Sequence, residues 1–231
     1  LPRLELKWAF AFPNAQRARS QPAIAYGTVY VGSQDGTVYA LDEETGCVRW
    51  TFRAPAEVRT AVIVESPSAA GKHAGSPLVF FGDLLARVYA VDAFTGQLRW
   101  SYKADDHPNA TITGAPSLHD GTLYVPVSSL EVTSAADPAY ECCTFRGAVL
   151  ALDAYSGTNR WKAFTIPTAP REVGRTRVGT RILAPSGAPI WNSPAIDAQR
   201  GVLYVGTGEN YSSPANDTSD ALIAFRLKDG A

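Results

Sequence analysis

The sequence predicts an all-β chain folded as a β-propeller, with about four four-stranded blades, and three observations carry that prediction. An eleven-residue phrase, ALDEETGCVRW at 40–50, returns as AVDAFTGQLRW at 90–100 and as ALDAYSGTNRW at 151–161, with a worn copy, AFRLKDGA, at 224–231. In front of each copy stands a second phrase: GTVYVGS at 27–33, PLVFFGD at 77–83, GTLYVPV at 121–127 and GVLYVGT at 201–207. Further upstream lies a small-residue strand that usually carries proline: SQPAIAY, RTAVIVE, GAPSLHD and NSPAIDA. One four-stranded unit repeated along a chain is a propeller blade stacked on its neighbours. An open sandwich with chance similarity is the bland alternative, and three near-identical phrases weigh against it.

Each part of the shared pattern, Ala-x-Asp-x-x-Thr/Ser-Gly-x-x-x-Trp, has a physical task. The apolar alternation before Asp42, Asp92 and Asp153 reads as a half-buried strand. The Asp-x-x-Thr-Gly segment reads as a tight turn, in which Asp bonds local backbone and Gly supplies positive φ. The Trp then falls on the next strand, where its ring can cover a neighbouring unit while its indole N–H needs an acceptor.

In chain order, residues 1–12 contain KWAFAF, an alternating strand like the Trp strand of the repeat, expected to complete the last blade of a ring. Blade one is expected at 19–52, blade two at 59–102, blade three at 111–163 and most of blade four at 190–231. No capped segment shows helical periodicity of useful length. Two connections are long enough to carry function: 126–146, between the second and third strands of blade three, and roughly 164–189, between blades three and four. The second holds Arg171, Arg175, Arg177 and Arg181, either a solvated face or a dock for an acidic partner.

The composition excludes several function classes. With 231 residues, 45% hydrophobic content and a net charge of −1, nothing marks a nucleic-acid binder. No apolar run approaches the ~20 residues of a membrane helix, and LPRLELKW lacks the apolar region of a signal peptide. The absence of Met and the truncated last repeat are read as a segment of a longer protein. The three cysteines, Cys47 and the pair Cys142-Cys143, form neither CxxC nor CxxCH, so zinc and attached haem have no ligand set here.

The repeated Trp phrase resembles the tryptophan-docking motif of quinoproteins, eight-bladed propellers that oxidise alcohols with pyrroloquinoline quinone (PQQ). VRTAVIVE, DDHPNATITGAPSLHDGTLYVPVSSLE, YECCTFRGAVLALD and IWNSPAIDAQRGVLYVGTGENYS narrow the resemblance to the polyvinyl alcohol dehydrogenase-like branch of the PQQ-dependent quinoprotein alcohol dehydrogenase family. The resemblance runs from Trp8 to the end, and would make this chain the N-terminal half of the ring. The same repeat occurs in non-enzymatic propellers of outer-membrane assembly, so a binding scaffold is the alternative function. A third arrangement, in which KWAFAF closes blade four into a four-bladed ring, would leave no room for PQQ at its axis.

Carried over position by position, the resemblance implies a site. Arg59 falls where the family binds the PQQ carboxylates, a pairing that suits a guanidinium. Thr113 falls at the cofactor hydroxyl position, and Trp191 where an aromatic ring lies beneath the quinone. The run Ser128-Ser129-Leu130-Glu131 resembles a Ser-Ser-Gly-Ala-Glu stretch that lines PQQ and ends in a calcium ligand, one residue longer than here. Glu209 stands where the family has an Asn calcium ligand, and Asn210 would serve if the register slips by one. Each has a plainer reading: Trp191 as core on a strand, Glu131 as an exposed loop acid, Arg59 as a cap on a blade edge.

The resemblance also implies a vicinal disulfide between Cys142 and Cys143 against the quinone face, with two free thiols as the alternative. In the methanol-oxidising branch that pair precedes the Arg matched by Arg59, whereas here it lies in the blade-three loop. Adjacent α-carbons are ~3.8 Å apart across a trans peptide, short of the usual ~4.4–6.8 Å, so such a bridge is strained. The implied function is oxidation of secondary alcohols in the periplasm or outside the cell, with calcium polarising the quinone and electrons passing to a c-type cytochrome. The family's catalytic Asp would lie beyond Ala231, so no general base is named and the segment alone is expected to be inactive.

Overall fold

The structure is a computed structural model that describes residues 3–66 and 75–231; residues 67–74, within the expected second blade, lie outside the described residues. Four antiparallel sheets follow one another along the chain. The first runs β1 (Ala23–Ala25), β2 (Thr28–Gly32), β3 (Thr37–Asp42), β4 (Val48–Arg53) in spatial order. The second repeats this with β5 (Ile63–Val64), β6 (Leu78–Gly82), β7 (Arg87–Asp92) and β8 (Leu98–Lys103). In the third, a short β9 (Ala110–Thr111) joins β10 (Ser117–His119), β11 (Thr122–Ser129), β12 (Ala148–Asp153) and β13 (Asn159–Phe164) by pairing with the end of β11. Between the third and last sheets a separate hairpin forms from β14 (Arg171–Arg175) and β15 (Arg181–Ala184). The last sheet has β16 (Ala195–Asp197), β17 (Val202–Gly206) and β18 (Leu222–Arg226).

The residue pattern explains these roles. The two middle strands of each of the first three blades are buried on nearly every residue, so they read as continuous apolar runs rather than alternations. The outer strands alternate instead: in β4 only Trp50 and Phe52 turn inward, while their neighbours are exposed. Pro22, Pro116 and Pro194 stand just before β1, β10 and β16, where a missing N–H costs no ladder bond. Hydrophobic clusters then fill the gaps between adjacent sheets: Tyr30 and Val38 with Phe81 and Val91, Phe80 and Val88 with Leu123 and Leu150, Tyr124 and Val149 with Leu203 and Phe225.

The repeated phrase works as a dock. The indole N–H of Trp50 donates to the Ala93 carbonyl at 2.9 Å, that of Trp100 to Ala154 at 2.9 Å and that of Trp161 to Leu227 at 3.1 Å. Each ring lies so close over the turn glycine of the next blade that a Cβ at Gly96, Gly157 or Gly230 would stand 2.6–2.7 Å from it. These glycines are therefore fixed twice, by φ near +70° and by contact. Within each turn, Oδ1 of Asp42, Asp92 or Asp153 accepts two backbone N–H bonds. The other oxygen receives Arg49, Arg99 or Arg160 at 2.6–2.7 Å. Those arginines occupy a β-bulge, the residue skipped when Ala40 pairs Trp50 and Leu41 pairs Val48, and the bulge aims them back at the turn.

Several expectations need correction. KWAFAF keeps its alternation, but no strand partner is found for it among the described residues. Its Phe10 and Phe12 pack on Tyr39, and Trp8 docks over Gly46 with its N–H on the Glu43 carbonyl at 3.0 Å. It thus stands where the outer Trp of a blade before the first would stand, which is the place a strand completing the last blade of a ring would occupy; among the described residues it makes no pairing with β16–β18, the closure that a four-bladed ring would need. The expected loop at 126–146 starts later, because β11 runs on to Ser129, and it contains one helical turn, α1 (Glu131–Ser134). The expected loop at 164–189 folds instead as the β14–β15 hairpin. Its Arg181 pairs with Glu141 and Arg175 with Glu172, leaving Arg171 and Arg177 exposed. Among the described residues no helix is long and apolar enough to cross a membrane.

Candidate functional site

The inner edges of the second, third and fourth sheets converge on a cavity of about 330 Å³ lined by Arg59, Thr111, Thr113, Ser128, Ser129 and Trp191, together with Glu209 and Tyr211. Leu130 and Val132 form its lip, both exposed. Its volume falls within the ~300–1,000 Å³ usual for small-ligand sites.

Backbone ties place each side chain. Arg59 sits in the segment before β5, which is held on one side by Val58 N–H on the Ser33 carbonyl at 3.1 Å. On the other side the Thr60 hydroxyl meets the backbone of Gly82. Thr113 follows Ile112, whose N–H reaches the Asp83 carbonyl at 3.1 Å and whose side chain fills the space beside Gly82. Thr111 lies on β9 opposite Ser128, which brings the Thr-x-Thr alternation and the two serines to one wall. Trp191 is not on a strand; it stands in the segment before β16. Ile190 N–H on the Val127 carbonyl fixes it from one side, and the Asn192 side chain, paired twice with Gly206, from the other. Gly208 leaves room for the ring: a Cβ there would meet it at 3.3 Å.

The chemistry of the cavity is cationic at one end. Arg59 has no hydrogen bond or ion pair among the described residues, while the neighbouring Glu57 is taken by Arg17 at 2.7 Å. Burial, and after it the charge of Arg19, pull the Arg59 pKa down from its usual value, and a guanidinium keeps its charge regardless. The Thr111 and Thr113 hydroxyls are buried without any hydrogen-bond partner. Such orphans are rare in folded proteins and mark places where a ligand or water completes the bonding. Trp191 leaves 55% of its surface open. Tyr211 is held neutral, its pKa pushed up first by burial and then by the Glu209 charge, and its hydroxyl donates to the Ser129 carbonyl at 3.3 Å.

The site residues expected from the sequence therefore divide. Arg59, Thr113, Ser128, Ser129, Trp191 and Glu209 are brought to one cavity. Asn210 is not among its lining; its amide donates to the Ser212 carbonyl at 3.1 Å. Glu131 is not the exposed loop acid of the plainer reading, and it does not line the cavity. It is fully buried, and its two oxygens accept from Thr144 N–H, Phe145 N–H and the Tyr140 hydroxyl, with His107 Nε2 at 3.3 Å. Those bonds occupy the roughly four lone-pair positions of a carboxylate. Burial raises its pKa, and the His107 and backbone bonds outweigh that, so it stays ionised. Cys142 and Cys143 are joined in a vicinal disulfide across a cis peptide, with α-carbons 3.0 Å apart. They do not line the cavity; Cys142 Sγ stands 4.0 Å from the carbonyl of Tyr211, a lining residue.

The sequence reading missed Thr111, Tyr211 and Val132. Two of these had a signal. Thr111 and Thr113, like Glu209 and Tyr211, are spaced by two, which puts both on one face of an extended segment.

This donor set fits a flat, carboxylate-bearing cofactor: one unpaired guanidinium, two orphaned hydroxyls and an open aromatic face. It does not by itself fit calcium. Glu209 is the one acid in the lining, and among the described residues no group of three or more His, Cys, Asp or Glu comes together.

A family model described as outer membrane protein assembly factor BamB matches residues 5–210. A polyvinylalcohol dehydrogenase of a Pseudomonas species is 38% identical over 231 residues, covering 100% of this chain and 35% of that protein. A polyvinylalcohol dehydrogenase of a Sphingopyxis species is 38% identical over 234 residues, with the same shares covered. The solved quinohemoprotein alcohol dehydrogenase of Comamonas testosteroni superposes with a TM-score of 0.69 at 21% identity, over 94% of this chain and 34% of that one, a likeness of fold. The chain thus spans about a third of the length of these relatives.

Proposed function

This chain belongs to the PQQ-dependent quinoprotein alcohol dehydrogenase family, and we propose that it forms part of the PQQ cradle of an enzyme oxidising secondary alcohols of the polyvinyl alcohol type. The observation that carries this is the meeting of an unpaired Arg59, the orphaned Thr111 and Thr113 hydroxyls and the open Trp191 face in one cavity. Arg59 would bind cofactor carboxylate, the strongest class of neutral-pH hydrogen bond available to it. Thr113, Thr111 and the two serines would satisfy the remaining polar oxygens, and Trp191 would cover one ring face. When bound, PQQ supplies the electron sink for alcohol oxidation, and the electrons pass to a c-type cytochrome. The propeller would need its remaining blades to complete the ring, the general base and any calcium site. An exported, oxidising compartment suits the Cys142–Cys143 bridge.

A non-catalytic binding scaffold shares the tryptophan docks, and the match to an assembly-factor family model favours it. It has no use, however, for a cationic cavity with unmet hydroxyls. Titrating the full-length protein with PQQ separates the two. Saturable binding that weakens about 10- to 100-fold in Arg59→Gln is expected, the ~1.5–3 kcal/mol of a charged hydrogen bond. Absence of binding by the wild type would leave the scaffold reading standing.

A further inference from the structure

Glu131 is buried, yet it sits between the two lip residues of the cavity, Leu130 and Val132. Its backbone N–H donates to the hydroxyl of a third lining residue, Ser129 Oγ, at 2.9 Å. Its carboxylate grips the chain just after the disulfide: Thr144 N–H at 2.9 Å on Oε1 and Phe145 N–H at 2.8 Å on Oε2. Phe145 in turn stacks on Tyr211 with ring centroids 6.2 Å apart, and the Tyr211 hydroxyl returns to the Ser129 carbonyl. The contacts close a loop from the lip, through the carboxylate, past the disulfide turn, to the Tyr211 wall and back.

We propose that Glu131 is a positioning residue and not a metal ligand: its carboxylate clamps the disulfide turn to α1 and thereby sets the wall and lip of the cavity. The inference rests on the cofactor-cradle reading for what the cavity holds, but not for the clamp itself. The clamp needs an acceptor-only group. A carboxamide puts an N–H₂ at one of the two positions: at Oε2 it would face the Phe145 N–H, and at Oε1 it would leave Thr144 only the longer 3.2 Å contact, so the grip on the two amides weakens. The turn carrying Cys142 and Cys143 would then open more readily, and Tyr211 would lose its fixed seat.

The experiment compares wild type, Glu131→Gln and Glu209→Gln in the full-length protein, with the exposed Cys47 replaced by Ser to remove its background thiol. A water-soluble phosphine reduces the Cys142–Cys143 bridge to two thiols, itself leaving as the phosphine oxide, and a thiol reagent follows the rate. Glu131→Gln is expected to speed thiol release and to weaken PQQ binding, each by about three- to tenfold, the effect of weakened and no longer charged hydrogen bonds to the two amides. The calcium midpoint at saturating PQQ stays unchanged. Glu209→Gln is expected to leave the reduction rate as it was. Tyr140→Phe, which removes one bond to Glu131 and spares the amides, gives a smaller shift in the same direction and serves if Glu131→Gln does not fold. A shifted calcium midpoint with an unchanged reduction rate would overturn the proposal in favour of a metal ligand. A fall in melting temperature alone, with both rate and affinity unchanged, would reduce Glu131 to a structural residue. If the wild type binds no PQQ, the cradle reading fails, while the reduction rates still decide the clamp.

Discussion

Replacing Gly157 with Ala tests the docking geometry on which the blades depend. The new Cβ would stand 2.7 Å from Trp100 Cδ2 and 2.9 Å from Cγ, atoms of a rigid ring whose N–H is already committed to Ala154 at 2.9 Å. The residue would also have to keep φ at +72°. Gly201 provides the control, with φ of +64° and nothing within 4 Å of a built Cβ. The conformational term alone, about 1–2 kcal/mol, should describe Gly201→Ala. Gly157→Ala adds overpacking of about 1–3 kcal/mol, for a total of about 2–5 kcal/mol. Urea titrations of the full-length variants, followed by tryptophan fluorescence, read the difference as a shift in midpoint. Adding Trp100→Ala to Gly157→Ala should recover part of the contact cost, because the colliding atoms are gone. Equal midpoints for Gly157→Ala and Gly201→Ala would refute the close dock.

Thr113→Val removes a buried hydroxyl that has no partner, so the ligand-free protein should be as stable as wild type or slightly more, while PQQ binding weakens several-fold. A loss of stability without a change in affinity would contradict its placement in the cradle. Asp153 is pushed up by burial but pulled further down by Arg160 and the Ser156 bonds, to about 2 from 3.8. Because its folded pKa is depressed, its contribution of about 2 kcal/mol is present above pH ~4 and lost as pH falls toward ~2. Asp153→Asn should therefore destabilise at neutral pH and flatten the acid limb of a stability profile; an unchanged acid limb would mean the pair with Arg160 contributes little. Glu209→Gln should lower the affinity for added calcium in the PQQ-loaded full-length protein, and an unaltered calcium titration would remove Glu209 from any metal site.

The scaffold was legible because its information is local. Asp, Gly and Trp at fixed offsets specify a turn and the strand after it, and the structure adds only that each ring docks on the next blade's glycine. The arginine before each Trp was passed over because its role depends on a bulge, which no alternation rule marks. Ser128 and Ser129 read as loop because the repeated strand phrase ends at Val127, yet β9 supplies them with a late partner. The surroundings of Glu131 were illegible for a different reason. A carboxylate after two serines suggests a ligand, and the donors that saturate it come from Thr144 and Phe145, beyond a turn whose path the sequence does not fix. Arg59, Thr113 and Trp191 were found by resemblance to a family rather than by pattern, since nothing local says that three separate blades meet at one cavity.

The most direct test of the cradle is a crystal structure of the full-length protein with PQQ. The cofactor is expected over the Trp191 ring, with a carboxylate on Arg59 and an oxygen within reach of the Thr113 hydroxyl. Density for PQQ elsewhere, with Arg59 and Trp191 bare, would contradict it.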